Sequence, residues 1–341
     1  MRDINTKNRL LELDALRGIA ALAVVLYHYT QRFSELYPDL QSEGIRFLYG
    51  NLGVQLFFLL SGFVIFLTLK TTSSPVDFIK RRAVRLYPSY IMCVILTYLC
   101  VVAFGLEGRE VTFKEAILNL TLIEGFIPGI NYVDGAYWSL TVEITFYLIV
   151  TIIIYFKMIK HIFKVLLLWI IASFLMFYLT KTYDSNIIET LYSKTISNYS
   201  YLFISGISFY FLLEKLYKRY LLLILLSLVF QYISSGIDVF LIVLGIYGVF
   251  WLTINQKLKF LSNKVLVFLG SISYSLYLIH QNIGYIIIIY LKKAGLDSSI
   301  WIVIPIVVSI GIAFFITKYI ENPIINLMKV KFFHKKISKA S

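Results

Sequence analysis

Four side chains stand where a hydrophobic sequence offers them no ready solvation. Arg17 and His28 bracket the run RGIAALAVVLYH, in which the ten intervening residues are nearly all apolar. Glu143 lies in GAYWSLTVEITFYLIV, and His280 lies in LGSISYSLYLIHQNIGYIIIIY. Ionisable groups inside apolar segments are costly and usually functional. An imidazole beside a carboxylate is the composition of a general-base centre, because the carboxylate orients the ring and favours its protonated form. The competing account is a structural His–Glu hydrogen bond that ties helices together. A second group is cationic. In DFIKRRAVRLYPSY, at the end of a basic loop, Arg82 and Arg85 are three residues apart. In a helix they share a face, and such a fork suits phosphate oxygens. Against this stands the ordinary excess of cytoplasmic cations and their attraction to anionic lipid.

Membrane helices must position these groups. The chain has 341 residues, 59% of them hydrophobic and 17% aromatic, with mean hydropathy +0.79. A soluble domain seldom exceeds about half apolar residues. Several stretches reach the ~20 apolar residues that cross a bilayer. The fold class is therefore all-α, a polytopic membrane protein of about ten transmembrane helices. The expected spans are 14–33, 51–69, 87–105, 137–156, 162–180, 199–213, 220–235, 237–254, 266–290 and 300–317. The stretch 106–136 is too polar for a full span, though FKEAILNLTLIEGF suits a short interfacial or re-entrant helix. Residues 1–341 read as one integral-membrane domain without an attached soluble domain. Cys93 and Cys100 fall in one apolar stretch and suggest neither a disulfide framework nor a metal site, so no metal is expected. Ser61 and Gly62 suit close helix packing. Ser61 as a nucleophile is a remote alternative.

Charge fixes the expected orientation. Of the 32 lysines and arginines, 23 fall in segments on the N-terminal side of the membrane, 8 on the other side, and Arg17 inside a span. Both termini are therefore expected in the cytoplasm. The first apolar run follows Arg2, Lys7 and Arg9 and reads as a retained signal anchor in the cell (inner) membrane. The net charge of +13 is explained by these loops and implies no nucleic-acid partner. His161 and His334 sit in basic cytoplasmic segments and need no catalytic explanation.

Depth then follows from helix rise. His28 lies about 16 Å above Arg17, and the two share a face, since eleven steps of about 100° come to roughly three turns plus 20°. Arg17 alone would simply snorkel to headgroups; the aligned pair argues for more. Glu143 lies about two turns below the outer end of its span, and His280 about 21 Å above the inner end of its own. Three spans thus place His28, Glu143 and His280 in one outer-half layer, with Arg17, Arg82 and Arg85 at a cytoplasmic mouth. A ligand with a polyanionic head and a long thin arm fits that arrangement, and coenzyme A is such a molecule. An acceptor hydroxyl would approach from outside, where Tyr137 and Trp138 offer aromatic faces to a sugar. Interfacial anchoring is the competing account of these rings. His280 would help to hold the acceptor. Glu321, directly after the tenth span, suits pairing with a loop cation.

The same residues carry a family resemblance. LDALRGIAALAVVLYH resembles the opening of the acyltransferase family 3 membrane proteins, with its Arg-x10-His motif. VQLFFLLSGFVIF, RRAVRLYPSY, YWSLTVEITFY, ISYSLYLIH and the late Glu321-Asn322-Pro323 resemble that family's later blocks, in order over almost the whole chain. The resemblance implies a ten-helix core and an O-acyltransferase that moves an acyl group, commonly acetyl from acetyl-CoA. Its implied acceptors are hydroxyls of surface polysaccharide, lipopolysaccharide O-antigen or other glycans, free or lipid-linked. It implies Arg17 and His28 as the essential pair and Arg82 and Arg85 as an Arg-x-x-Arg motif. Some relatives carry an extracytoplasmic esterase-like domain, which this chain is expected to lack.

The principal alternative is a proton-coupled transporter of a small solute or glycan precursor, in which His and Glu would line a path. The sequence shows no inverted repeat or paired broken helices of that kind. A structural or assembly protein is the third reading, and it requires that His28 tolerate substitution.

Overall fold

A computed structural model describes residues 11–40, 44, 46–70, 72, 74–214 and 217–333, with side chains to 328. The N-terminal cations of the expected signal anchor, and His334, lie outside the described residues. The described residues form helices without a strand: α1 Leu11–Tyr27, α2 Phe33–Leu36, α3 Gly53–Leu69, α4 Pro75–Phe104, α5 Phe113–Asn119, α6 Trp138–Tyr155, α7 Ile162–Thr182, α8 Asn186–Lys194, α9 Ser200–Leu213, α10 Tyr220–Ile254, α11 Lys264–Lys293, α12 Val303–Ile316 and α13 Asn322–Phe333. Two π-helical turns interrupt the series, His28–Arg32 after α1 and Thr317–Glu321 between α12 and α13. Cys93 and Cys100 are free thiols.

Among the described residues, seven helices are long and apolar enough to cross a membrane: Gly50–Leu69, Pro75–Phe104, Gly135–Tyr155, Met158–Thr182, Tyr220–Ile254, Lys264–Lys293 and Ser299–Met328. The protein is a multi-pass membrane protein. The three remaining expected intervals fall on α1, on α9 and on the second half of α10. Gly236 breaks α10 with φ 80° and ψ 179°, values that suit glycine rather than a residue with a Cβ. The chain folds back there. The rings of Tyr232 and Phe240 meet at 5.6 Å, whereas eight residues of straight helix would separate them by about 12 Å. Phe230 and Tyr247, on opposite sides of the break, both contact Tyr201.

Two expected boundaries move. α4 starts twelve residues before the expected span, so DFIKRRAVRLYPSY is helix rather than loop. Ser74 caps it by accepting from the Asp77 N–H at 3.1 Å, and Pro75 occupies the first turn, where its missing N–H costs nothing. Pro88 lies inside α4. At the other end, helix continues past residue 317 through the π turn into α13. The segment FKEAILNLTLIEGF contains the short α5, closed by a reciprocal Thr112–Glu115 capping box, and a single 3-10 turn at Glu124–Phe126.

The chain forms two compact units. The first comprises 1–22, 52–71 and 156–271. Its axis is α9, whose residues from Ser200 to Tyr210 are all buried. α3 packs on α9 backbone to backbone. A Cβ on Gly206 would lie 2.1 Å from Leu59 O, and one on Gly62 would lie 2.5 Å from Phe203 O. The close packing expected of Gly62 is therefore present. Gly206→Ala is expected to cost about 1–3 kcal/mol, as overpacking does. The thermal midpoint in detergent should drop, while Gly245→Ala, where nothing lies within 4 Å of the added carbon, should not lower it. Equal midpoints for both variants would refute the close crossing.

The second unit comprises 23–51, 72–155 and 272–341. It holds the π turns, α4 to α6, most of α11, and α12 with α13. α11 is the most enclosed of the seven long helices, with 83% of its apolar window buried. His280 sits on it.

Candidate active site

His28 opens the π turn at the end of α1, and its ring meets that of His280 from α11. The centroids are 4.8 Å apart and the planes cross at 73°, with His28 Nδ1 3.2 Å from His280 Nε2. His28 Nδ1 also lies 2.9 Å from Val24 O, and His280 Nδ1 lies 2.8 Å from Tyr277 O. Backbone carbonyls thus orient both rings. His28 is half-buried. His280 is 0% exposed, which leaves it no surface for the expected substrate contact.

Neighbouring residues hold the pair in place. Tyr29 Oη donates to His280 O at 2.8 Å and accepts from Ser309 Oγ of α12 at 2.8 Å. Its ring lies on Gly284, where a Cβ would come within 2.2 Å of Tyr29 Cε1. The segment before α6 clamps α11 on both sides of His280. Asp134 accepts from Asn282 N at 3.0 Å, Asn282 Nδ2 donates to Val133 O at 2.8 Å, and Tyr277 Oη reaches Ala136 O at 3.0 Å and Ser139 Oγ at 2.7 Å. Sequence reasoning missed Tyr29, Asp134, Asn282 and Tyr277. The legible signal was the pair Gln281-Asn282, two amides inside an apolar run.

π turns are rare and recur at functional sites, and the second one supports the arginines. Glu321, at its end, is 2% exposed and accepts from Arg85 Nη1 at 2.9 Å, from Ser89 Oγ at 2.8 Å and from Ser275 Oγ at 3.3 Å. The expected cation for Glu321 is therefore Arg85. Arg82 lies over the rings of Phe78 at 5.6 Å and Tyr147 at 5.9 Å. Ser275 precedes His280 by five residues on α11, so this level lies about 7.5 Å along the axis from the histidine pair. Arg17, on α1, belongs to the first unit.

Glu143 accepts a short hydrogen bond from Tyr147, one turn along α6. The carboxylate expected beside His28 is thus joined to the tyrosine beneath Arg82. Trp138 is half-buried at the head of α6. Tyr137 is fully enclosed, its ring 5.2 Å from that of Tyr90, which leaves no face for a sugar. At the end of the π turn, Arg32 donates to Glu35 at 2.7 Å and holds its carboxyl below the usual carboxylate range.

Glu143→Gln keeps an acceptor for Tyr147. It is expected to fold and bind donor normally while kcat falls at least about 10-fold, less than the loss of a general base itself. An unchanged rate and pH profile would make Glu143 structural.

The acyltransferase-domain family profile matches residues 10–318. The chain belongs to acyltransferase family 3. Acyltransferase MdmB of Streptomyces mycarofaciens is 29% identical over 164 residues, 45% of this chain and 41% of that protein. The O-acetyl transferase of Shigella phage Sf6 is 28% identical over 153 residues, 40% of this chain and 43% of that one. ORF330 of Acidianus two-tailed virus is 28% identical over 293 residues, 80% of this chain and 83% of its own. The chain thus spans about two fifths of the length of MdmB and of the phage enzyme. No solved structure matches it significantly. The paired histidines, Arg82 and Arg85 lie within the residues that match the acyltransferase domain.

Proposed function

We propose that this membrane acyltransferase moves an acetyl group from cytoplasmic acetyl-CoA to a hydroxyl of a surface polysaccharide, lipopolysaccharide O-antigen or other glycan. The observation that carries the reading is the half-buried His28 ring, held by Val24 O and His280 in a family whose chemistry needs a base. His28 takes the proton from the acceptor hydroxyl. The freed oxygen attacks the thioester carbonyl, a C–O bond forms and the C–S bond breaks. The proton passes from the imidazolium to sulfur, and coenzyme A leaves as the thiol. Arg17, Arg82 and Arg85 hold the donor's phosphates, with Arg85 shared between phosphate and Glu321. Trp138 offers the acceptor an aromatic face, and Glu143, through Tyr147, links the donor level to the reacting layer. The chain crosses the inner cell membrane ten times with both termini in the cytoplasm, which puts donor and acceptor on opposite sides.

The names of MdmB and of the phage O-acetyl transferase favour acyl, and specifically acetyl, transfer to oxygen. The test compares surface glycans from cells with and without the gene. A base-labile acetyl ester should accompany the gene and vanish with His28→Ala. Identical glycans from cells that make the protein would overturn the glycan acceptor.

A further inference from the structure

We infer that His280 is a positioning residue, a neutral imidazole that joins Val24 O in holding His28 in its Nδ1–H tautomer and leaves His28 Nε2 as the basic atom. The inference rests on the acyl-transfer reading only for what that atom acts upon. The tautomers follow from groups that accept and cannot donate. Val24 O lies 2.9 Å from His28 Nδ1, and a carbonyl oxygen has no hydrogen to give. His28 Nδ1 therefore carries a proton. His280 Nε2 lies 3.2 Å from that same nitrogen. Two N–H groups pointed at each other at this distance would repel, so His280 Nε2 is bare. Tyr277 O, 2.8 Å from His280 Nδ1, places the single proton of His280 on its other nitrogen. Both rings are thus neutral Nδ1–H tautomers, and the hydrogen of His28 Nδ1 is shared between Val24 O and His280 Nε2. What remains is His28 Nε2, a lone pair with no claim on it from the carbonyls.

The arrangement has a catalytic consequence. When His28 Nε2 takes a proton, positive charge spreads to Nδ1–H, which faces the His280 lone pair. In a Ser-His-Asp triad a carboxylate fills that place, fixing the tautomer and stabilising the imidazolium. Here the acceptor is neutral. It stabilises the imidazolium less, but no anion has to be kept inside an apolar span. The ring of His280 cannot turn over without setting a carbon against Tyr277 O. Its backbone is pinned as well, by Tyr29 at His280 O and by Asp134 at the neighbouring Asn282 N.

The test uses the full-length protein in lipid nanodiscs. The chain has four histidines, so ¹⁵N-histidine labelling gives a countable set of ring nitrogens, and His28→Gln identifies those of His28. A protonated Nδ1 and bare Nε2 are expected at His28 in the wild type. The same pattern is expected in His280→Gln, whose Oε1 can stand where Nε2 stood. His280→Leu, which removes one of the two acceptors of the Nδ1 hydrogen, should show mixed tautomers. In parallel, with acetyl-CoA hydrolysis as the probe, His280→Leu should lower kcat about 10²-fold at unchanged KM, and His280→Gln should return to within about 10-fold of wild type. A pure Nδ1–H tautomer at His28 in the Leu variant overturns the inference, as does near-wild-type kcat. Equal losses in Leu and Gln overturn it too, by assigning His280 to packing. If the wild type hydrolyses no acetyl-CoA, the donor reading fails while the nitrogen signals still decide the tautomer.

Discussion

With alanine in place of His28, acyl transfer falls by about 10²- to 10⁴-fold, the usual cost of losing a positioned general base, while protein level and membrane insertion hold. Truncation also removes the donor that faces His280 Nε2 (3.2 Å away) inside the bundle. A buried acceptor left unsatisfied costs about 1–3 kcal/mol, so the alanine variant mixes catalysis with stability. His28→Asn separates the two. Its amide nitrogen overlays Nδ1 and can still donate to Val24 O and His280, but nothing replaces Nε2. A folded Asn variant with wild-type melting and no turnover assigns the loss to the basic nitrogen. Activity within a few-fold of wild type in either variant, at equal protein level, would remove His28 from the mechanism.

The arginine level gives the second large effect. Replacing Arg82 or Arg85 with alanine should weaken coenzyme A binding by roughly 10- to 100-fold, since a hydrogen bond to a charged group contributes about 1.5–3 kcal/mol. Lysine at either position should restore only part of the affinity, because it keeps the charge and loses the planar fork. The two sites differ in stability. Arg85→Ala strips Glu321 of its guanidinium and leaves it to Ser89, Ser275 and Thr317. That should cost about 1–3 kcal/mol, less than a fully buried pair, because the Arg85 side chain is 39% exposed. Arg82 lies on aromatic faces, and its variants report donor binding with less loss of stability. If these arginines serve only topology and lipid contact, lysine substitutes fully. Wild-type coenzyme A affinity in both Arg82→Lys and Arg85→Lys would sink the phosphate grip.

Much of this architecture is legible along the chain because hydrocarbon forces every backbone group into a helix. Apolar runs therefore marked the helices, and even the break at Gly236 showed as a boundary between two spans. Helix ends were harder. Apolar content placed the start of α4 at residue 87, yet the capping signal lay at Ser74-Pro75. Three polar groups were assigned to one layer, but their pairing was not legible. Depth along a helix does not say which neighbour a side chain faces, and His28 met His280 while Glu143 met Tyr147 of its own helix. The π turns were invisible for a related reason. Each depends on contacts made across helices, such as Tyr29 on Gly284 and Arg85 on Glu321, rather than on a local propensity.

The fold-back at Gly236 bears on the lipid around the protein. On the ten-span topology proposed above its two arms, 220–235 and 237–254, are separate crossings that rise only about 24 and 27 Å, against a hydrocarbon thickness of about 30 Å. Arms that short cannot tilt without falling further short of the opposite headgroups. The bilayer must pinch against them instead, at a cost of fractions of a kcal/mol for each ångström. On that topology the hairpin draws the two leaflets closer together, and the polar ends of lipids beside it lie nearer the midplane than in the surrounding membrane.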